Sequence, residues 1–347
     1  MKLTYRAFEV HKRVPLAISR GTQSSSVNWE VHVTEDGITG IGEAAEFSIP
    51  ATHQPSDFLG IELERTVAMV RPFHPWQRHE AETALVQAGV ASSVRAAIDM
   101  ALYDWAGKAV HQPVWRMLGL PMRGTHPTSV TIGIATPERA QRRWVQWLEI
   151  GVVRSVKLKL GSPEGIEADR AMFEAVLRLL PPTVRIAVDA NGGWSVEDAL
   201  TMCDWLSERR VEHVEQPVAP IDLNGLRAVH QRSPIPVMAD EACRNSQDLR
   251  DLQGACSGIN IKLLKCGGMS EALRMIPAAR ALGLSVMLGC YSQTVLGNTA
   301  ANQLARLVDI VDLDSHLNLR NDPFVGCRFD DGYLVNRELP GLGVTHA

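Results

Sequence analysis

The stretch Val184-Arg-Ile-Ala-Val-Asp-Ala-Asn191 decides how the rest of this 347-residue chain is read. Its β-branched, apolar run reads as a short buried strand. The strand ends on a carboxylate, Asp189, and Asn191-Gly-Gly-Trp-Ser195 follows as a turn and a helix N-cap. A charge at the end of a buried strand is costly unless something pairs with it. The arrangement then recurs. His213-Val-Glu215-Gln-Pro217 places Glu215 26 residues further on, and Ile235-Pro-Val-Met-Ala-Asp240-Glu241 places Asp240 another 25 along. That spacing is about one strand–helix unit of a barrel of roughly 250 residues in eight units. Three carboxylates on consecutive strand ends point at one metal, and three oxygen ligands that leave open positions suit Mg²⁺. The plainer alternative is three solvated loop acids.

Working outward, strands are expected near 128–134, 154–160, 184–189, 212–215, 235–239, 257–262, 285–288 and 308–312, with helical segments between them. Eight strands alternating with helices favour a TIM-type barrel over 122–320. A doubly wound open sheet is the runner-up, but no GxGxxG follows any strand. Residues 1–121 read differently. A strand at 2–10, a polar loop at 19–26, an alternating strand around Val27–Val33 and an Asp36-Gly37 hairpin turn open a small antiparallel sheet. Helical patterning follows, strongest at 92–108, so this part is an α+β capping domain. After residue 320 a turn-rich tail, 321–347, is expected to return to it.

Composition narrows the class. With 45% hydrophobic and 21% charged residues the chain reads as an ordinary globular protein, and a net charge of −4 gives no basic field for nucleic acid. The six cysteines are scattered without a CxxC pair, the N-terminus lacks the apolar run of a signal peptide, and no uncharged apolar stretch approaches membrane-spanning length. A cytoplasmic enzyme with a small-molecule substrate and no membrane or nucleic-acid partner is the expectation; homo-oligomer formation stays open.

The basic residues complete the chemistry. In Ser155-Val-Lys157-Leu-Lys159-Leu160 the two lysines share one strand face, and a barrel has no free edge for them. Like-charge repulsion and burial are expected to lower the pKa of at least one, making it a general base near neutral pH. Lys262 ends the strand Gly258-Ile-Asn-Ile-Lys262. Lys265, beyond it, is read equally as solvated or as binding a phosphate-like group. In an eight-strand ring strand two faces strand six, so Lys159 and Lys262 flank a metal-bound substrate from opposite sides. A base on each face of one carbon is the geometry for inverting a stereocentre.

The order KxK, Asp-Ala-Asn, Glu-Gln-Pro, Ala-Asp-Glu, Asn-Ile-Lys-x-x-Lys-x-Gly-Gly resembles the enolase superfamily, muconate-lactonizing subgroup, over nearly the whole chain. The resemblance implies a (β/α)₇β barrel with an α+β capping domain and one Mg²⁺ per subunit on Asp189, Glu215 and Asp240. It further implies Lys159 and Lys262 as catalytic bases, with Lys157 in support, acting through a metal-stabilised enediolate. Val311-Asp312-Leu-Asp314 is similar to the Asp-x-Asp with which dipeptide epimerases bind a substrate α-ammonium, a cation that needs anionic acceptors. Thr131 joins the substrate-binding set. Ser19-Arg20-Gly21 is similar to a loop whose arginine meets a glutamate side chain, so L-Ala-D/L-Glu is the lead substrate. One departure is Gln293, where many relatives carry Glu; a neutral amide supplies no charge balance there. Rival readings are N-succinylamino acid racemase, o-succinylbenzoate synthase and muconate cycloisomerase, whose substrates lack an ammonium. A catalytically inactive binding protein is the rival from another class.

Overall fold

The computed structural model describes residues 1–347 apart from 48, 50 and 51. Strands β1 (Lys2–Ile18), β2 (Gly21–Glu35) and β3 (Ile38–Ala44) form the first, antiparallel sheet. Asp36 and Gly37, both at positive φ (51° and 72°), make the expected turn between β2 and β3. The polar stretch expected as a loop at 19–26 is instead strand from Gly21 onward. Backbone pairing of Leu16, Ala17 and Ile18 with Gln23, Thr22 and Gly21 prevails over polar composition, so only Ser19 and Arg20 turn. The helix Ser92–Ala109 lies on this sheet. It approaches so closely that a Cβ on Gly42 would sit 2.0 Å from the Ala97 carbonyl oxygen.

Eight parallel strands follow: β4 (Val130–Ile132), β5 (Ser155–Lys159), β6 (Arg185–Asp189), β7 (Val211–Glu215), β8 (Val237–Ala239), β9 (Gly258–Lys262), β10 (Ser285–Gly289) and β11 (Ile310–Asp312). Each pairs with its neighbours in chain order, as right-handed strand–helix–strand units do. The ring closes just before β4, where Thr128 bridges Val311 and the Ser129 N–H donates to the Val311 carbonyl at 3.0 Å. Helices such as Pro137–Ile150, Ile166–Leu177 and Val196–Ser207 cover the outside, burying Trp144, Trp147 and Phe173 against the strands. After β11 only the short 3₁₀ turn Ser315–Asn318 follows, so the eighth unit lacks its helix. Among the described residues no helix is long and apolar enough to cross a membrane.

The tail returns to the first sheet. Asp104, fully buried in the helix Ser92–Ala109, accepts from the backbone N–H groups of Ile41 and Leu342 and pairs with Lys108 at 2.6 Å. Glu30 on β2 accepts from Arg6 Nε at 2.6 Å and meets His32 and His346 Nε2 at 2.7 Å each. Burial pushes the Glu30 carboxyl up, but hydrogen bonds from His32 and Arg6 outweigh it and bring it down to about 2. Arg6 Nη2 lies 3.1 Å from the His346 imidazole, so this cluster is a charge clasp on the C-terminal residues.

Candidate active site

The barrel register puts the acids side by side. Lys159 pairs with Asp189 and Asp189 with Glu215 across three successive strands, so their side chains form one row. Asp240 follows β8 directly. Its position is fixed by Gln216, whose Oε1 accepts the N–H groups of Asp240 (3.0 Å) and Ala242 (3.1 Å). One carboxylate oxygen each of Asp189, Glu215 and Asp240 lie within 4.8 Å of one another, and all three residues are fully buried. Three buried anions this close are tolerable only with cations around them.

Four lysines supply that charge. Lys159 Nζ lies 2.5 Å from Asp189 Oδ2 and Lys262 Nζ 2.6 Å from Asp240 Oδ2. β5 and β9 are the second and sixth strands of the ring, so the two ammoniums reach the acids from opposite sides. Lys157 is held among Asp312, Glu215 (3.2 Å) and Asp189 (3.9 Å). Lys265 is neither solvated nor placed to bind a phosphate-like group. It is buried and donates to Asp240 Oδ1 (2.6 Å) and the Asn260 carbonyl (2.9 Å), because the short helix Leu263–Cys266 turns it back under the strand end.

The lowering expected from the Lys157–Lys159 pair is not found at Lys157, and Lys262 behaves in the same way. Burial pulls both down, yet the carboxylates (Asp312, Glu215 and Asp189 for Lys157, Asp240 first for Lys262) carry both well above the ordinary value. Carboxylates, rather than neighbouring ammoniums, dominate their surroundings. Burial and Asp189 raise Glu215 to about 7, while Lys262 and Lys265 outweigh burial at Asp240 and hold it well below the usual carboxylate range.

The donor set fits a hard divalent cation. All three atoms the trio offers are carboxylate oxygens, with no thiolate or imidazole among them, the preference of Mg²⁺ rather than of zinc. Asn191 Oδ1 and Glu241 Oε2 are buried beside the trio without a hydrogen-bond partner. Residues that sequence reasoning passed over support the acids. Asn260 Nδ2 donates to Glu215 Oε1 at 2.6 Å, and Asn191 donates from both its N–H and its amide to Asp189. Their signal lay in the quoted motifs, as the Asn of Asn-Ile-Lys and of Asp-Ala-Asn.

A cavity of about 890 Å³ opens over this centre, between the barrel mouth and the first sheet. Asp312, Asp314 and Thr131 line it on the β4 and β11 side. Asp312 accepts from Ser129 and Lys157, while Asp314 accepts the Thr131 N–H at 2.6 Å. Burial and the neighbouring Asp312 raise Asp314 to about 6. Arg20 lines the cavity too, but its guanidinium is engaged: Nη2 lies 2.7 Å from Glu241 Oε1 and Nη1 2.8 Å from the Asn191 carbonyl. Gln293 is buried behind the cavity wall with Nε2 unpartnered. Nearby, the buried carboxylate is Glu43 from β3, which accepts from the Thr294 and Gly297 N–H groups at the start of the helix Val295–Asn302.

An α+β cap over a barrel with acids on three successive strand ends is a family pattern, and sequence comparison bears it out. The enolase C-terminal domain-like family model matches residues 135–347, and the mandelate racemase/muconate lactonizing enzyme N-terminal domain model matches 2–119. The chain belongs to the enolase superfamily. Among its superfamily relatives, a hydrophobic dipeptide epimerase of Flavobacteria bacterium (strain MS024-2A) is 39% identical over 345 residues, 99% of this chain and 97% of that one. The L-Ala-D/L-Glu epimerase of Bacteroides thetaiotaomicron is 34% identical, covering 99% and 88%. Among solved structures, the dipeptide epimerase from Enterococcus faecalis V583, complexed with Mg and L-Leu-L-Tyr, superimposes with a TM-score of 0.91 at 30% identity, covering 99% of each chain.

Proposed function

We propose that this enolase-superfamily chain is a Mg²⁺-dependent dipeptide epimerase that inverts the α-carbon of the C-terminal residue. The reading is carried by one observation: the buried trio Asp189, Glu215 and Asp240 is flanked by Lys159 and Lys262 from strands four apart on the ring. Relatives named as dipeptide epimerases at 34–39% identity over nearly full length support it.

Asp189, Glu215 and Asp240 would hold Mg²⁺, which when bound supplies positive charge to a substrate carboxylate as the α-carbon loses its proton. One of Lys159 and Lys262 takes that proton as the free amine and the other, as the ammonium, returns one to the opposite face, which inverts the centre. Lys157 sits between Asp312 and Glu215 and holds both in place. Asp312 and Asp314 receive the substrate ammonium beside Thr131. The need for two such acids sets the dipeptide reading above substrates without an amine. Because Arg20 is already held by Glu241, uncharged C-terminal side chains stand alongside the acidic lead L-Ala-L-Glu.

We read residues 1–121, joined by the tail 321–347, as the capping domain and 122–320 as the catalytic barrel. Six unpaired cysteines support a cytoplasmic location. Incubation with Mg²⁺ and L-Ala-L-Glu or L-Ala-L-Leu in D₂O tests the activity. Deuterium at the α-carbon of the second residue, together with the L,D product, is expected; neither label nor product with any dipeptide would retire the reading.

A further inference from the structure

The two lysines of the proposed base pair are not held alike. Lys262 ends β9, and its partner in the register of β10 is Gly289, which offers no side chain to pack on it. Two residues later the chain brings the Tyr291 ring under the ammonium, with Lys262 Nζ 4.4 Å from the ring centroid. That ring is in turn stacked on Phe47 from the segment after β3, at 4.7 Å and 10° between planes. Phe47 is itself buried, so the ring has little room to turn. Among the described residues no other lysine lies over an aromatic ring, Lys159 included. The Tyr291 hydroxyl is buried without a hydrogen-bond partner, so the phenol is held there by its faces rather than by its oxygen.

We propose that Tyr291, clamped by Phe47, is a positioning residue for Lys262 and acts on one face of the substrate only. Its ring face attracts the ammonium and restricts where a four-carbon side chain can put it. Asp240 Oδ2 fixes Nζ from one direction and the ring from a second, which aims the lysine at the cavity. Lys159 has its carboxylate, Asp189, but no such second support. The capping segment that carries Phe47 thereby takes part in aligning a residue of the barrel. The proposal rests on the two-lysine reading above.

The test measures exchange of the α-hydrogen of each epimer of a dipeptide with D₂O, using the Mg²⁺-loaded protein and its Lys262→Ala, Tyr291→Leu and Tyr291→Phe variants. Lys262→Ala identifies the epimer that depends on Lys262. In Tyr291→Leu, kcat for exchange of that epimer is expected to fall about tenfold with KM little changed, while exchange of the other epimer stays within about twofold. Tyr291→Phe keeps the ring and is expected to retain both. An equal fall for the two epimers, no fall for either, or a Phe variant as impaired as the Leu variant would overturn the proposal. A crystal structure of Tyr291→Leu supplies the readout independent of turnover. Lys262 Nζ is expected to leave its place beside Asp240 or spread over several rotamers; an unmoved, singly ordered Lys262 also overturns it. Wild-type protein that exchanges no dipeptide would instead remove the epimerase reading, leaving the crystallographic arm to decide the contact.

Discussion

Arg20 lies 2.7 Å from Glu241, an ion pair that ties the hairpin of the first sheet to the mouth of the barrel. Glu241 is almost fully buried and its second oxygen has no partner, so losing Arg20 leaves an uncompensated charge beside the acid trio. Arg20→Met is therefore expected to lower kcat/KM on L-Ala-L-Glu and on L-Ala-L-Leu alike. The loss corresponds to a charge-assisted hydrogen bond of about 1.5–3 kcal/mol, roughly ten- to a hundredfold. A loss confined to L-Ala-L-Glu would assign Arg20 to the substrate γ-carboxylate.

The carboxylate trio gives separable effects on activity and on stability. Asp189→Asn, Glu215→Gln and Asp240→Asn are each expected to abolish turnover, as is chelation of the wild-type protein. Their melting temperatures should differ. Asp240 is paired with both Lys262 and Lys265, so Asp240→Asn leaves two buried ammoniums short of a partner, at a cost of about 3–5 kcal/mol. Glu215 is raised to about 7 by burial and Asp189, so Glu215→Gln removes a strained charge and should melt closest to wild type. Thermal unfolding followed by circular dichroism checks the order, and full activity after exhaustive metal removal would falsify the metal assignment.

Lys159 and Lys262 lie on opposite sides of the trio, so each should serve one configuration. Lys159→Ala and Lys262→Ala are each expected to end epimerisation while leaving α-hydrogen exchange on a single, different epimer. Proton NMR in D₂O separates the two reactions. If either variant still interconverts both epimers, a single base must act on both faces.

Two buried imidazoles set an acid limit on stability. Burial, helped at His213 by Lys157, lowers His213 and His316 to about 4. A folded-state pKa below the unfolded value of about 6.5 means that the contribution is fully present above 6.5. It is lost as pH falls from there through about 4. Each imidazole accounts for up to about 3 kcal/mol across that window. His316→Gln is expected to unfold at higher denaturant than wild type near pH 4.5, relative to their difference at pH 7.5. Parallel curves at the two pH values would contradict it.

Much of this site was legible in the chain because strands and charges leave local marks. The apolar runs ending in Asp189, Glu215, Asp240 and Lys262 mark strand ends, since a barrel strand is buried until it emerges at the C-terminal face. Period two put Lys157 and Lys159 on one face, and the spacing of the eight runs implied the ring that sets Lys159 opposite Lys262. Other features needed the tertiary structure. Lys265 looked either solvated or free to bind a phosphate-like group because sequence distance says nothing about a helix that folds it back onto Asp240. Arg20 looked available to a substrate carboxylate because its partner lies 221 residues away in the chain. Lys157 runs opposite to expectation for the same reason. Sequence showed the two neighbouring ammoniums, whereas the fold surrounds Lys157 with carboxylates from β6, β7 and β11. Local pattern determines where a strand ends and which charges it carries; only the closed ring determines which charges meet, because Coulomb energy depends on distance in space.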